Sequence, residues 1–120
     1  MSNVKNIEYG AFESCSQLTS ISIPKATTIG QGAFRFCSNL SSIGYTNCIT
    51  HIHESAFREC NKLTILSFPM AEYILEYAFQ SCASLEIVQL YNVRLIGVSA
   101  FAYCTKLSVV EINTPYVPIL

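Results

Sequence analysis

The segment Ile7–Pro24 reads IEYGAFESCSQLTSISIP, and its order of apolar residues returns along the 120-residue chain. The pair Ala-Phe inside it recurs at intervals of 22, 23, 22 and 22 residues. An isoleucine stands five residues before each phenylalanine, a cysteine three residues after it, and a leucine three further on. The repeated residues are Phe12, Phe34, Phe57, Phe79 and Phe101, with Cys15, Cys37, Cys60, Cys82 and Cys104. Columns held at a period of this length indicate a repeat architecture.

Each unit contains two local patterns. After the leucine, apolar and polar residues alternate, as in Leu18–Ile23, and this alternation predicts a short, half-buried strand. In Ala-Phe-x-x-Cys the apolar residues are three apart, which predicts one helical turn. The sequence therefore predicts a partial first repeat over residues 1–17, repeats from about residues 18, 40, 63 and 85, a last strand at 107–112 and a tail at 113–120.

A single unit of this kind cannot bury its apolar face, so successive units must stack and share one core. The predicted fold is an α/β repeat solenoid in a single domain spanning residues 1–120. We expect a right-handed coil of short parallel strands with short helical turns, in about five repeats of 22–23 residues. The one extra residue falls between Tyr45 and Ile49, where we expect a loop.

The motif Ile-x-x-x-Ala-Phe-x-x-Cys-x-x-Leu-x-x-Ile-x-Ile-Pro, read from Ile7 to Pro24 and again from Ile29, resembles the leucine-rich repeat of BspA-like surface proteins. These proteins occur in bacteria and some parasitic protists. The resemblance extends from about Val4 to Ile112. It implies a horseshoe-like array with strands along the concave face, acting in adhesion or protein binding at the cell surface or after secretion. Residues 1–5 show no hydrophobic signal segment.

The composition excludes several partners. Apolar residues make up 51% and charged residues 12%, which argues against disorder. The net charge of −1 leaves no basic field for nucleic acid. The longest stretch without charged residues, Phe36 to His53, is interrupted by polar residues and is no membrane span. We therefore predict neither nucleic-acid binding nor membrane insertion.

Motifs for catalysis are missing from the sequence. The chain contains no Asp, no phosphate-binding Gly-rich loop and no nucleophile elbow, so we predict a non-enzymatic protein without cofactor or metal. His51 and His53 flank the inward-facing Ile52, with Cys48 and Glu54 nearby, but they lack the paired spacing of a zinc site. We expect two solvent-facing histidines.

The cysteine column has two interpretations, a disulfide framework or a series of buried thiols. Stacked neighbours place their Cα atoms close enough for a disulfide, but parallel side chains keep their Cβ atoms apart. We therefore predict reduced, buried cysteines that act as small apolar residues. Cys48 stands outside the column, in the loop with the extra residue, and is the cysteine that we expect to be reactive.

The residues between the inward-facing strand positions must face solvent. One outward column reads Ser20, Ser42, Ile65, Ile87, Val109, so the last three repeats present an aliphatic stripe. The predicted protein-binding face consists of Ile65, Ile87, Val109, Glu86, Gln89, Tyr91 and Glu111. A purely structural reading stays open, because β-branched residues also suit strands and reinforce one another laterally.

The two ends of the stack provide a second hypothesis. An open terminal strand exposes apolar core and unpaired backbone groups. Association through these edges predicts dimers or filaments, and hence a self-assembling structural protein as the alternative to binding a different protein. The edge residues are Leu18, Ile21, Ile23, Leu107, Val110 and Ile112. In the competing reading, the proline-containing tail folds across the last strand as a cap.

Overall fold

The isoleucine column and the leucine-led column form two separate sets of parallel strands. The structure is a computed structural model that describes residues 3–44, 46–112 and 119–120. The isoleucine column builds a five-stranded parallel sheet, in which each strand pairs with the strand of the next coil. Its strands are β1 (Asn6–Ile7), β3 (Thr28–Ile29), β5 (His51–Ile52), β7 (Tyr73–Ile74) and β9 (Leu95–Ile96). The alternation pattern of the sequence did not predict this sheet.

The leucine-led strands form the other side of the coil. They are β2 (Ser20–Ser22), β4 (Ser42–Gly44), β6 (Ile65–Ser67), β8 (Ile87–Leu90) and β10 (Val109–Ile112). Strand β2 pairs with β4, and β6 pairs with β8 and β8 with β10, all parallel. In the described residues, β2 and β4 form one sheet, and β6, β8 and β10 form another. The gap between β4 and β6 coincides with the one interval of 23 residues between repeats. The prediction of a parallel-strand solenoid with about five turns is confirmed.

The predicted helical turns are wrong, because none of the described residues is helical. In the second coil, Gly32 and Phe36 have φ angles of 63° and 61°, and residues with positive φ cannot continue a right-handed helix. Consecutive turns form instead, as in the N–H of Arg35 donating to the carbonyl of Gly32 at 3.1 Å. Alternate N–H groups donate to the next coil instead, as in the N–H of Phe34 donating to Ala56 O at 2.8 Å. These turns thus add a third set of bonds between coils.

The core is a stack of phenylalanine rings at the centre of the solenoid. Adjacent rings of the column lie 5.2–5.3 Å apart, within 5° of parallel. Phe34, Phe57 and Phe79 are fully buried, whereas Phe12 and Phe101 at the two ends are only partly buried. Phe68, directly after β6, adds a tilted ring 6.1 Å from Phe57. One apolar core therefore runs through all five coils.

The cysteine column consists of free thiols. Each thiol from the second coil onward donates to the carbonyl of the phenylalanine one coil earlier, at 3.0 or 3.1 Å. Burial raises the pKa of the Cys37 and Cys60 thiols, which keeps them protonated as donors. Cys37, Cys60 and Cys82 are buried as predicted, whereas Cys15 and Cys104 at the two ends of the column are only partly covered.

Cys48 is the exposed cysteine, so its thiol should react first with an aromatic disulfide reagent under native conditions. We expect one fast-reacting thiol per chain and slower reaction of the partly covered Cys15 and Cys104. Cys37, Cys60 and Cys82 should react only on unfolding, because they are buried. The measurement is the time course of thiolate release in the wild type and in Cys48→Ser. A fast phase that persists in Cys48→Ser would contradict this assignment.

The described end of the chain returns to the five-stranded sheet. Ile119 forms a parallel bridge with Ile96, and the Leu120 N–H donates to Ile96 O at 2.9 Å. Ile119 follows Ile96 by 23 residues, so it continues the isoleucine column beside β9. A cap across β10 would involve residues 113–118, which lie outside the described part. No described helix is long and apolar enough to span a membrane.

Candidate protein-binding face

The aliphatic stripe lies on the outer side of β6, β8 and β10. Parallel pairing places Ile65 opposite Ile87 and Ile87 opposite Val109. Because strand residues alternate between faces, the next residues, Leu66 and Val88, are buried in the core. Ile65 is 57% exposed and Val109 40%, whereas Ile87 between them is half-buried. The three side chains thus form one continuous apolar strip, one strand spacing apart.

The strip is confined to the later coils. The same column carries Ser20 in β2 and Ser42 in β4, and both serines are exposed. Hydroxyl groups at these positions keep the first two coils hydrated and offer little apolar surface for a partner. The strand face is therefore divided into a polar half and an apolar half.

A polar rim borders the stripe toward the C-terminal ends of β8 and β10. The Gln89 amide Nε2 donates to Glu111 Oε1 at 3.4 Å, and the Tyr91 hydroxyl donates to Glu111 Oε2 at 3.2 Å. Loss of hydration and the bond to Glu111 raise the pKa of the Tyr91 hydroxyl, which favours its role as donor. Gln89, Tyr91 and Glu111 are thus brought together, while Glu86 stands exposed on the other side of the stripe.

The five-stranded sheet presents a second outer face, which was not predicted from the sequence. Its register places Thr28, His51, Tyr73 and Leu95 side by side. The rings of His51 and Tyr73 lie 5.0 Å apart. The signal available in the sequence was the apolar and aromatic character of this column in the third to fifth coils.

Features that would support catalysis are sparse. Within residues 3–44, 46–112 and 119–120, no group of three His, Cys, Asp or Glu side chains is placed to hold a metal ion. A depression of 290 Å³ is lined by Met70, Glu72, Asn92 and Arg94. Its polar groups already have partners: Arg94 pairs with Glu72 at 3.4 Å, and Asn92 donates to the Pro69 carbonyl at 2.8 Å.

The residues predicted for self-association differ in accessibility. Ile23 is fully buried, because the second coil covers it and its N–H donates to Gly44 O at 3.2 Å, so its assignment to an open edge is wrong. Val110 is 40% exposed, whereas Val88, one coil earlier in the same column, is fully buried. Partly buried residues make up the rest of the set: Leu18, Ile21, Leu107 and Ile112.

Comparison with known proteins decides the family. The model of the BspA type leucine rich repeat region matches residues 1–116 in six copies. The chain belongs to this family. No curated protein sequence matches this BspA-type chain.

Solved structures support the assignment. A leucine rich cell surface protein from Faecalibacterium prausnitzii A2-165 is 33% identical in sequence, and its structure superposes with a TM-score of 0.85. The match covers 95% of this BspA-type chain and 31% of the Faecalibacterium chain. The T. pallidum leucine rich repeat protein is 23% identical with a TM-score of 0.66, covering 97% and 66% of the two chains, and shows the fold alone. This chain therefore spans about a third of the Faecalibacterium protein.

Proposed function

We propose that the chain is a non-enzymatic protein-binding module that acts in adhesion through the outer face of β6, β8 and β10. The observation that carries the proposal is the exposed stripe of Ile65, Ile87 and Val109, held in register and bordered by polar side chains. An apolar patch with a polar rim is the usual anatomy of a protein contact.

The energetics favour an extended apolar partner. Full desolvation of one aliphatic side chain of the stripe contributes about 1.5–3 kcal/mol. A few well-buried side chains commonly dominate an interface, so three adjacent ones can form its centre. Glu111 already accepts bonds from Gln89 and Tyr91, whereas the exposed Glu86 carboxylate pairs with no side chain of the described residues and can meet a positive group of the partner. We expect a partner segment that carries aliphatic or aromatic side chains beside a Lys or Arg.

The similarity to a cell surface protein of Faecalibacterium supports adhesion as the biological setting. Surface location and adhesion of the whole protein remain part of the proposal, since the chain spans 31% of that relative.

The test is the substitution Ile87→Glu, which places a charge in the middle of the stripe. Peptides selected from a displayed random library on the wild-type chain should bind Ile87→Glu at least about tenfold more weakly, because a carboxylate loses hydration in an apolar contact. Binding is measured by titration of labelled peptide. The control is Ser42→Glu, which adds the same charge to the same column outside the stripe.

Peptides that bind wild type, Ser42→Glu and Ile87→Glu equally would remove the stripe as the site. A second copy of the chain is the alternative partner, favoured by the exposure of Val110. Light scattering of the three proteins over a concentration series separates the two functions. Association of the wild type that survives Ile87→Glu would support assembly through the edges, and a monomer at all concentrations would end that alternative.

A further inference from the structure

The two histidines of the chain lie on the outer face of the five-stranded sheet. His51 belongs to β5 and His53 follows it, while Ile52 between them is fully buried. Alternation along the strand therefore directs both imidazoles outward. Their ring centroids lie 6.3 Å apart, with 25° between the ring planes. Each residue is half-buried, which restricts the ring without hiding it.

The hydrogen bonds around Thr50 favour one tautomer of His51. Thr50 Oγ1 lies 3.2 Å from the carbonyl of Thr27, to which it donates its proton. The same oxygen lies 2.9 Å from His51 Nδ1. A hydroxyl has one proton to donate, so toward His51 it must accept. Neutral His51 therefore carries its proton on Nδ1 and keeps the lone pair of Nε2 for a ligand.

The donation by Thr50 follows a pattern of the fold. One coil earlier, Thr27 Oγ1 donates to the carbonyl of Lys5 at 3.3 Å. Both threonines occupy the same column before the five-stranded sheet, and each bonds to the previous coil. With the Thr50 hydroxyl donating to the previous coil in the same way as Thr27, its oxygen is left to accept from the Nδ1–H of His51. A histidine that binds a metal through one ring nitrogen usually donates the N–H of the other nitrogen to a nearby acceptor, which holds the ring in place.

We propose that His51 and His53 form a two-imidazole binding site for a borderline divalent transition-metal ion. The described residues supply no third ligand, so water or a side chain of a bound partner completes the coordination. Imidazole suits Zn²⁺, Ni²⁺ and Cu²⁺, and the general order of affinity makes Cu²⁺ the tightest. Mg²⁺ and Ca²⁺ prefer oxygen ligands and should not bind here.

The experiment is calorimetric titration of Cu²⁺, and separately of Mg²⁺, into the Cys48→Ser chain, which removes the exposed thiol as a competing ligand. Replacements come from the same columns of neighbouring coils, so they should fold: His51→Thr follows Thr28, and His53→Leu follows Leu75. We expect one Cu²⁺ site, at least about tenfold weaker in either variant, since each loses one ligand of the chelate. Electron paramagnetic resonance should show two nitrogen ligands.

Thr50→Val tests the assigned tautomer. It removes the acceptor of the Nδ1 proton while both imidazoles remain, and loss of such a supporting group costs about 10–100-fold in metal affinity. The matched control is Thr27→Val, which removes the equivalent hydroxyl one coil earlier and should leave Cu²⁺ affinity unchanged. Unchanged Cu²⁺ binding in His51→Thr and His53→Leu, or equal Mg²⁺ binding, would overturn the proposal. Neither result would bear on the stripe of β6, β8 and β10.

Discussion

Replacement of Phe57 by alanine is expected to lower the free energy of unfolding by about 3–5 kcal/mol. Phe57 is fully buried, and its ring is stacked between Phe34 and Phe79 at 5.2 and 5.3 Å, with Phe68 tilted against it. Truncation removes all these contacts and leaves a cavity in the middle of the stack. Because domains are commonly stable by only about 5–15 kcal/mol, the loss is a large part of the total. Urea unfolding followed by circular dichroism measures it.

Phe12→Ala is the matched control for this experiment. Phe12 occupies the same column but is only partly buried, and in the described residues its ring stacks on Phe34 alone, at 5.2 Å. Its truncation exposes less new surface and encloses a smaller cavity, so we expect clearly less destabilisation than for Phe57. Equal losses at the two positions would mean that the coils do not share one continuous core.

The ring stack was predictable because one column of the repeat carries it. A fixed interval places each phenylalanine over the previous one, whatever the path between them. Phe68 was harder to place, because the strand-end column is aliphatic at Ile23, Leu90 and Ile112 and gave no sign of how a larger ring would fit beside Phe57 and Phe79. Its packing depends on the space left between two coils, which only coordinates show.

The five-stranded sheet could not be recognised from sequence periodicity. Its strands are two residues long, as in β5, whereas alternation becomes a usable signal over about four to eight residues. The helical turns were wrongly predicted because a short spacing pattern fits more than one structure. Apolar residues three apart fit a helix, but positive φ angles at Gly32 and Phe36 send alternate amides to the next coil.

The two candidate sites differ in how far they could be predicted from the sequence. The stripe of Ile65, Ile87 and Val109 follows from alternation and register, both of which a repeat sequence specifies. The bonding state of His51 depends on a carbonyl one coil earlier, at Thr27, and on the direction of the Thr50 hydroxyl. Such a contact between coils leaves no pattern in the sequence of a single repeat.

Gly30→Ala is expected to destabilise the chain by about 1–3 kcal/mol, the range for overpacking. A Cβ at Gly30 would lie 2.6 Å from the carbonyl oxygen of Ile7 and 2.9 Å from the carbonyl carbon of Glu8, which are backbone atoms. The glycine allows the second coil to approach the first closely, and the Gly30 N–H donates to Ile7 O at 2.7 Å. The added methyl group must push the two coils apart. Thermal and urea unfolding measure the effect.

Gly44→Ala provides the control, because a Cβ there would lie 3.8 Å or more from its neighbours, an ordinary contact. Its φ is outside the left-handed region, so we expect a change within about 1 kcal/mol. The third coil shows how Gly30→Ala could be accommodated: His53, in the same column as Gly30, donates to Ile29 O at 3.0 Å, a slightly longer bond. If Gly30→Ala and Gly44→Ala proved equally stable, the first two coils would have to separate as freely as those around His53, and the close approach at Gly30 would have no energetic role.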